Sequence, residues 1–329
     1  MTIKTIVVLL VGLALASVHL AEAQQKVPRI GFISFIASPS SPGANVEAFQ
    51  LGLRELGYVE GQNIVIEYRY AEGKQNRLPD LAAELVRLKV DIIVAQSTET
   101  VLAAKSATST IPIVMTNSAD PIGSGLVASL ARPGGNVTGM SLLAGLEISG
   151  KQLELLKETV PKLSRVAVLA NPASRSSTGA GLLREAEPAA RSLGVKIFVV
   201  EARDASELEG AFSAMKKARA GAFLMMPNPI FQTNRSRIAV LAASSRIPAM
   251  YPYSSLVDAG GLMSYGANLA DTHRRAATYV DKILKGAKPT DLPVEQPVKF
   301  EFIVNLNAAK QIGLTIPPNV LVRADRVIK

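Results

Sequence analysis

The chain has 329 residues, a formal net charge of +9 and 48% apolar residues, which together predict two domains with sizeable cores. It contains no cysteine, which excludes disulfide frameworks, thiolate nucleophiles, iron–sulfur clusters and cysteine-based zinc sites. Only two histidines, His19 and His273, are available for acid–base or metal chemistry, so the chain is poorly equipped for an enzyme.

The first 23 residues have the pattern of an export signal. Lys4 supplies a positive charge, residues 5–20 are mostly apolar, and Ala21-Glu22-Ala23 forms a small-x-small cleavage site. A membrane anchor or a buried helix is the alternative, but residues 21–26 turn polar at once and no basic stop-transfer cluster follows. We therefore expect cleavage after Ala23 and a mature protein in the periplasm.

The basic residues are scattered along the sequence. The largest local groups are Lys216-Lys217 with Arg219, and Arg235 with Arg237. Neither group has the dense spacing and interleaved aromatic residues that are typical of nucleic-acid binders. We interpret most of these charges as solvated helix faces, with a weak bias toward anionic solutes or membrane surfaces.

From residue 27 onward, short apolar strands alternate with amphipathic helices. In the first half the predicted strands are residues 29–35, 64–70, 91–95 and 112–115, with helices starting at Ser41-Pro42, covering 78–88 and ending at Ala107. In the second half the predicted strands are residues 136–141, 165–170, 195–201, 221–226, 247–251 and 262–265, with helices that include 146–160 and 269–284. The proline-rich tail adds a strand near 299–304 and a helix at 307–312.

This alternation predicts βαβ units, in which a parallel sheet is covered by helices on both faces. The strands are too many for one ordinary sheet. The sequence therefore predicts an α/β protein with two doubly wound, Rossmann-like lobes.

Polar residues recur where the predicted strands end. In open parallel sheets, ligands bind beyond the carboxyl ends of the strands, where helix N-termini present free N–H groups. The candidates at these positions are Ser34, Ser38, Gln96, Ser97, Thr98, residues 116–120 with Thr116 and Asp120, Asn171, Asn228, and Tyr251 with Tyr253.

Structural roles compete with ligand binding at several of these positions. Ser97 and Thr98 suit a helix N-cap, and so does Asp120 before Pro121. The Asn-Pro pairs at 171–172 and 228–229 are ordinary turn sequences. The recurrence of polar residues at the same end of successive strands, in both halves, is what favours a ligand site.

The sequence contains no recognisable catalytic constellation. It has no P-loop pattern, no G-x-G-x-x-G that opens a helix after a strand, and no EF-hand-like loop. A Ser–His–Asp triad would have to use His273, but His273 falls on a helix stripe with Ala276, Val280 and Ile283 and is better explained as a packed or edge-exposed helix residue. We expect no catalysis, no cofactor and no bound metal.

A series of short motifs follows in order along the chain after residue 27. They are Asp120-Pro121 with Gly125-Leu126-Val127, PGGNVTG at 133–139, GGLMSYG at 260–266, LPVEQP at 292–297, GLTIPP at 313–318 and Arg323-Ala324-Asp325. Together they resemble the ABC-transporter substrate-binding protein family that includes tryptophan- and tyrosine-binding members. The resemblance implies a type I periplasmic-binding-protein fold, in which three crossings join two lobes and a solute is held between them.

The resemblance also implies lobe boundaries and site residues. The crossings would lie near residues 142–146, 266–269 and 294–298, so that lobe one comprises 27–141 and 268–293, and lobe two 142–267 and 294–329. Lobe one would contribute Thr98, Thr116 and Asp120 to the cleft, and lobe two Asn171, Asn228 and Tyr251. Gly266, at the second crossing, completes the candidate ligand-binding residues.

The ligand is left open. Amino-acid-binding members of the family tend to carry carboxylates in the turn after Asn171 and near Asn228, which pair with an ammonium group. Here those turns read Pro172-Ala173-Ser174 and Pro227-Asn228-Pro229, and both are neutral. An amino acid, an aromatic or other organic acid, and a neutral solute are all compatible, and a ligand carboxylate would meet the helix N-terminus at Ser97 and Thr98 or the loop 34–41.

The sequence thus predicts an exported, monomeric solute-binding protein that closes around a small molecule and delivers it to the transmembrane subunits of an ABC permease, without binding nucleic acid. A periplasmic sensing module that feeds a membrane receptor would have the same sequence pattern. An α/β enzyme is the third interpretation.

Overall fold

Two mainly parallel β-sheets organise the protein, whose computed structural model describes residues 27–36, 38–40, 43–142, 147–172 and 179–329. The predicted signal segment and its cleavage site lie outside the described residues, as do Ser41-Pro42 and most of the first predicted crossing. Among the described helices, none is long and apolar enough to cross a membrane.

The first sheet has five parallel strands in the order β2-β1-β3-β4-β5. Its strands are β1 (Arg29–Ser34), β2 (Val65–Tyr70), β3 (Ile92–Ala95), β4 (Ile113–Ser118) and β5 (Val137–Ser141). Nearly every residue of β1, β3, β4 and β5 is buried, as expected for parallel strands with helices on both faces.

The helices of the first sheet form two layers. They are α1 (Ala44–Glu55), α2 (Leu78–Arg87), α3 (Thr98–Ala107) and, from late in the chain, α10 (Leu269–Leu284). Helices α1 and α10 pack together on one face, and α2 and α3 pack on the other. Gly52 permits the close α1–α10 packing, because a Cβ at this position would overlap the carbonyl oxygen of Arg274. The sheet and these four helices are called the first lobe below.

The second sheet has seven strands in the order β12-β11-β10-β9-β8-β6-β7. Its strands are β6 (Arg165–Ala170), β7 (Lys196–Glu201), β8 (Ala222–Met225), β9 (Ala249–Tyr251), β10 (Met263–Ala267), β11 (Phe300–Asn305) and β12 (Arg326–Ile328). All neighbours are parallel except β10 and β11. Strand β11 begins beside the carboxyl end of β10, where the chain enters the sheet after crossing from the other lobe. It therefore runs antiparallel to β10.

The second sheet also lies between two helical layers. Its helices are α4 (Glu147–Thr159), α5 (Gly179–Ser192), α6 (Leu208–Lys217), α7 (Pro229–Thr233), α8 (Arg235–Ser245), α9 (Ser254–Asp258), α11 (Leu306–Gln311) and α12 (Pro318–Leu321). Helices α4, α5, α11 and α12 cover one face and α6, α7, α8 and α9 the other. Short 3-10 segments occur at Gln75–Arg77, Ala205–Glu207 and Pro289–Asp291. The second sheet and the helices that cover it are called the second lobe.

The predicted α/β fold with two mainly parallel sheets is confirmed. The chain passes from the first lobe to the second after Ser141 and returns to the first lobe between β10 and α10. It enters the second lobe again at β11. The third predicted crossing, near residues 294–298, begins beside the first sheet: the N–H of Val294 donates to Leu130 O at 2.7 Å and that of Glu295 to Gly139 O at 3.0 Å. Glu295 forms a single parallel bridge with Met140 of β5.

Candidate ligand-binding cleft

The carboxyl ends of β1, β3 and β4 face those of β8 and β9 across a narrow cavity of about 50 Å³. The first lobe lines it with Thr98 and Glu99, and the second lobe with Asn228, Gln232 and Tyr253. A larger cavity of about 570 Å³ shares Glu99 and Asn228 with the first and includes Asn171. Both lobes therefore contribute strand-end residues to one cleft, which is the arrangement expected for open α/β sheets.

Helix α3 begins at the cleft with a strained residue. The N-cap, Ser97, has φ 83° and ψ 157°, a region that is almost exclusive to glycine and costs about 1–3 kcal/mol for other residues. The N–H of Ser97 donates to Asn117 Oδ1 at 2.8 Å, which holds this conformation from β4. Ser97 Oγ caps the Thr100 N–H. Because residues 97–99 line the cavity, the N-terminus of α3 ends at the cleft, and its helix dipole favours negative charge there.

A buried polar network lies directly beneath the cavity. Ser34 Oγ donates to Gln96 Oε1 at 2.6 Å, and Gln96 Nε2 lies 3.2 Å from His273 Nε2. Thr116 Oγ1 is 2.9 Å from the same His273 nitrogen, and His273 Nδ1 lies 2.7 Å from the carbonyl oxygen of Leu269. The network joins β1, β3 and β4 to α10, and its member Gln96 reaches the cavity.

The hydrogen-bond partners fix the protonation state of His273. Nδ1 faces a carbonyl oxygen and must donate to it, and Nε2 faces the amide nitrogen of Gln96, which can only donate, so Nε2 is the acceptor of that bond. Burial lowers the pKa of His273 to about 4, opposed by the bond to Leu269. His273 is thus a neutral, fully buried residue, and the sequence analysis, which placed it on an apolar helix stripe, missed its polar partners.

Several residues from the sequence analysis meet at the cleft. Gln96, Ser97, Thr98 and Asn228 line the smaller cavity, and Asn171 lines the larger one. Asn171 Nδ2 donates to Arg203 O at 3.0 Å, so this side chain also ties two strand-end turns together.

Ser34 and Thr116 lie one layer below the cavity, in the network described above, rather than in its lining. Asp120 Oδ1 accepts the N–H of Gly123 at 2.8 Å and thereby closes a local turn. Ser38 Oγ is exposed and 3.2 Å from Ser40 Oγ. The structure does not bring these side chains into the lining of the smaller cavity.

Tyr251 and Gly266 take part in packing. Tyr251 is fully buried and its ring meets Phe223 edge to face, with centroids 5.7 Å apart. At Gly266, a Cβ would overlap the carbonyl oxygen of Pro252, so the glycine lets β10 approach the exit of β9. The tyrosine that reaches the cleft is Tyr253, because the chain turns at Pro252 after β9 ends.

Among the polar lining residues that were not predicted, Glu99 and Gln232 come from opposite lobes. Glu99 lies in the first turn of α3 and lines both cavities. Gln232 lies on α7, where its Nε2 donates to Ser255 Oγ and its buried Oε1 has no hydrogen-bond partner among the described residues. Gln232 follows the N-cap Asn228 by four residues, one helical turn, and this spacing is the signal that could have identified it.

The carboxylate of Glu99 in the first lobe affects the pKa of Tyr253 in the second lobe. Burial raises the pKa of the Tyr253 phenol, and the Glu99 carboxylate raises it further. Tyr253 is therefore a neutral hydroxyl that comes from the second lobe toward a carboxylate of the first. The cleft combines one negative side chain, one helix N-terminus, neutral amides and aromatic rings.

Comparison with known proteins identifies the family. Residues 29–328 match the family of ABC transporter substrate binding proteins. The chain belongs to this family. Members are extracytoplasmic substrate-binding components of transporters and not enzymes, so the expectation that the chain is not an enzyme is confirmed by its family.

Relatives of this binding protein include proteins that bind aromatic amino acids. It is 27% identical over 290 residues to the tyrosine-binding protein of Clostridioides difficile strain R20291, covering 88% of this chain and 82% of the relative. It is also similar to the ABC domain in complex with L-Trp from Streptococcus pneumonia, at 27% identity and a TM-score of 0.83 over 92% of this chain and 99% of the other.

A second solved relative is less similar in overall structure. The ligand-free, open structure of a substrate binding protein with adhesive properties from Clostridium difficile is 26% identical, with a TM-score of 0.68 over 92% of this chain and all of the other. More distant solute-binding proteins share the fold alone.

Proposed function

We propose that this binding protein traps an aromatic amino acid between its lobes in the periplasm and delivers it to the membrane subunits of an ABC importer. The observation that carries the proposal is the cleft between the lobes, whose smaller and larger cavities, about 50 and 570 Å³, share Glu99 and Asn228. In it Glu99 and the N-terminus of α3 lie beside each other and face Asn228, Gln232 and Tyr253. Such a cavity offers complementary groups to both charges of a zwitterion.

The charge pattern supports an amino acid over a simple acid. A ligand carboxylate fits the positive end of the α3 helix dipole, and a ligand ammonium group fits the Glu99 carboxylate. The sequence analysis left the ligand open because the turns at Pro172 and Asn228 are neutral. Glu99, from the opposite lobe, supplies the negative charge that those turns lack, while Phe35 and Tyr253 offer aromatic surface for a side chain.

The arrangement of the lobes supports trapping by closure. At nearly equal identity, the chain is more similar in shape to the L-Trp complex than to the ligand-free, open relative. Ile230 of the second lobe packs against the core of the first. Closure of this kind is favoured by a ligand that binds the closed state more tightly than the open one.

Removal of the Glu99 charge tests the ligand class. Glu99→Gln is expected to weaken L-tyrosine or L-tryptophan binding by about thirtyfold or more, because a ligand ammonium would lose a buried charge partner worth at least about 2 kcal/mol. Titration calorimetry measures the affinity. Glu47→Gln, an exposed glutamate in the first turn of α1, is the matched control and should bind like the unmodified protein.

The same measurement with ligand fragments separates the two charges. Tyramine lacks the carboxylate and hydroxyphenylpropionate lacks the ammonium group, and both should bind far more weakly than tyrosine. Tight binding of hydroxyphenylpropionate, unchanged in Glu99→Gln, would contradict the amino-acid assignment. Cells lacking the protein should lose uptake of labelled tyrosine or tryptophan, whereas a sensing module would leave that uptake unchanged.

A contact at the rim of the cleft tests closure itself. A Cβ at Gly73 in the first lobe would lie 3.2 Å from Thr233 Cγ2 in the second. Gly73→Val should obstruct closure and lower ligand affinity about tenfold, since the binding-competent closed state becomes less populated. Gly57→Val is the matched control, because Gly57 also has a positive φ but no atom lies within 4 Å of its Cβ position. Equal affinities of the two variants would contradict the closure mechanism.

A further inference from the structure

The cations that look scattered in the sequence are gathered by the fold at one end of the second lobe. Strands β9, β8, β6 and β7 are parallel neighbours in this order, so the turns that precede them lie side by side at the end opposite the cleft. These turns are residues 160–165, 191–196, 216–221 and 246–248. They carry Lys162, Arg165, Arg191, Lys196, Lys216, Lys217, Arg219 and Arg246, which we call the basic pole.

The charges of the basic pole are not compensated. All eight side chains are exposed, the four turns contain no acidic residue, and none of the eight forms an ion pair within the part of the chain that the structure describes. Arg165 and Lys196 are direct register partners on neighbouring strands. Like charges in this relation destabilise a sheet, and the contact of the Arg165 guanidinium with the Phe198 ring, 5.4 Å from its centroid, leaves the charge of Lys196 beside it unpaired.

Two further cations occupy positions that favour glycine. Arg219 and Arg246 follow α6 and α8 with φ values of 52° and 53°, the left-handed conformation in which helices usually end on Gly or Asn. The corresponding end of the first lobe is mixed in charge: Asp91 and Glu60 lie in turns before its strands, and Asp91 Oδ2 accepts the N–H of Arg29 at 2.8 Å. The two ends therefore differ in that acidic residues lie among the cations of the first lobe, whereas the four turns of the basic pole contain none.

The shape of this surface fits an extended anionic plane. Four adjacent strands span about 15 Å at roughly 4.8 Å per strand, and the screening length at physiological salt is about 8 Å, so charges on neighbouring turns act together and the row of turns presents a continuous positive surface. The four turns contain no aromatic residue for stacking on bases. We propose that the basic pole binds the surface of a bilayer rich in anionic phospholipid, holding this binding protein at the membrane while its cleft, at the other end of the strands, stays free.

Vesicle binding tests the proposal. The full chain is sedimented with vesicles of equal parts phosphatidylglycerol and phosphatidylcholine, and with phosphatidylcholine alone, which reports any binding through apolar segments. We expect binding to the anionic vesicles that falls steeply as salt rises. Each cation near an anionic surface contributes about fivefold in affinity, so replacing Lys196, Lys216, Lys217 and Arg219 by glutamine should weaken binding at least tenfold.

A variant with the same net charge provides the control. It replaces four exposed cations of the first lobe, Arg87, Lys89, Arg132 and Lys288, by glutamine. Its vesicle binding should be close to that of the unmodified protein. Because the pole residues repel one another, the pole variant should keep its melting temperature, so loss of binding is not loss of folding.

Three results would overturn the proposal. Equal weakening by the pole and control variants would show that only net charge matters. Failure of the unmodified protein to bind anionic vesicles at low salt would remove the lipid partner. Tighter binding to a short DNA duplex than to the vesicles, lost in the pole variant, would assign the surface to a nucleic acid.

Discussion

Acidification from pH 7 to pH 4 is expected to lower the free energy of unfolding by about 3 kcal/mol through His273 alone. Burial lowers its pKa in the folded protein from 6.5 to about 4. Between these values the unfolded chain binds a proton that the folded protein does not, so stability falls as the pH falls through this window. Each tenfold difference in proton affinity is worth about 1.4 kcal/mol, which gives the magnitude.

The neighbours of His273 explain why protonation is so unfavourable. A proton on Nε2 would turn the acceptor of the Thr116 and Gln96 contacts into a donor, inside a site with no exposed surface. The groups that contact the ring are a hydroxyl, an amide and the Leu269 carbonyl, and none of them carries a negative charge that could offset the proton. The network that supports the cleft should therefore break before the rest of the first lobe.

His273→Gln isolates this effect. The amide does not titrate, so urea unfolding of the variant should depend less on pH between 6.5 and 4 than that of the unmodified protein. Carboxylates titrate in both proteins and cancel in the difference. A loss of about 1–2 kcal/mol at pH 7 is also expected, because the new side chain satisfies the network less well. Identical pH slopes would contradict the neutral, buried state of His273.

The sequence was most informative where the signal is local. Apolar strands followed by capping residues predicted both sheets, and the polar turns after β3 and β8 predicted that Gln96, Ser97, Thr98 and Asn228 lie at strand ends, where the structure has them. These features depend on residues within a few positions of each other, since strand periodicity and helix capping are both short-range.

The sequence was least informative where partners are distant. His273 contacts Thr116 from 157 positions away and Gln96 from 177, so its helix stripe shows only that it is buried. Tyr251 and Tyr253 look equivalent in the sequence, and only the position of the strand end decides which one reaches the cleft. The basic pole is a similar case: residues from four separate turns become one surface only when the strand order is known.

Gly266→Ala is expected to destabilise the protein by about 3 kcal/mol or more. The added Cβ would overlap the carbonyl oxygen of Pro252, which is backbone and has little freedom to move, and overpacking of this kind costs about 1–3 kcal/mol and sometimes more. Gly210→Ala is the matched control. Gly210 lies in α6 with no atom within 4 Å of its Cβ position, so alanine there should stabilise the protein by about 0.5–1 kcal/mol.

The same variant separates a packing role of Gly266 from a ligand contact. Pro252 precedes Tyr253, so a displaced Pro252 also moves a residue that lines the cleft. Chemical denaturation and ligand titration of Gly266→Ala should therefore show a large loss of stability together with weaker binding. If binding weakened while the free energy of unfolding stayed the same, Gly266 would touch the ligand directly, and the cleft would extend past Tyr253 to the end of β10.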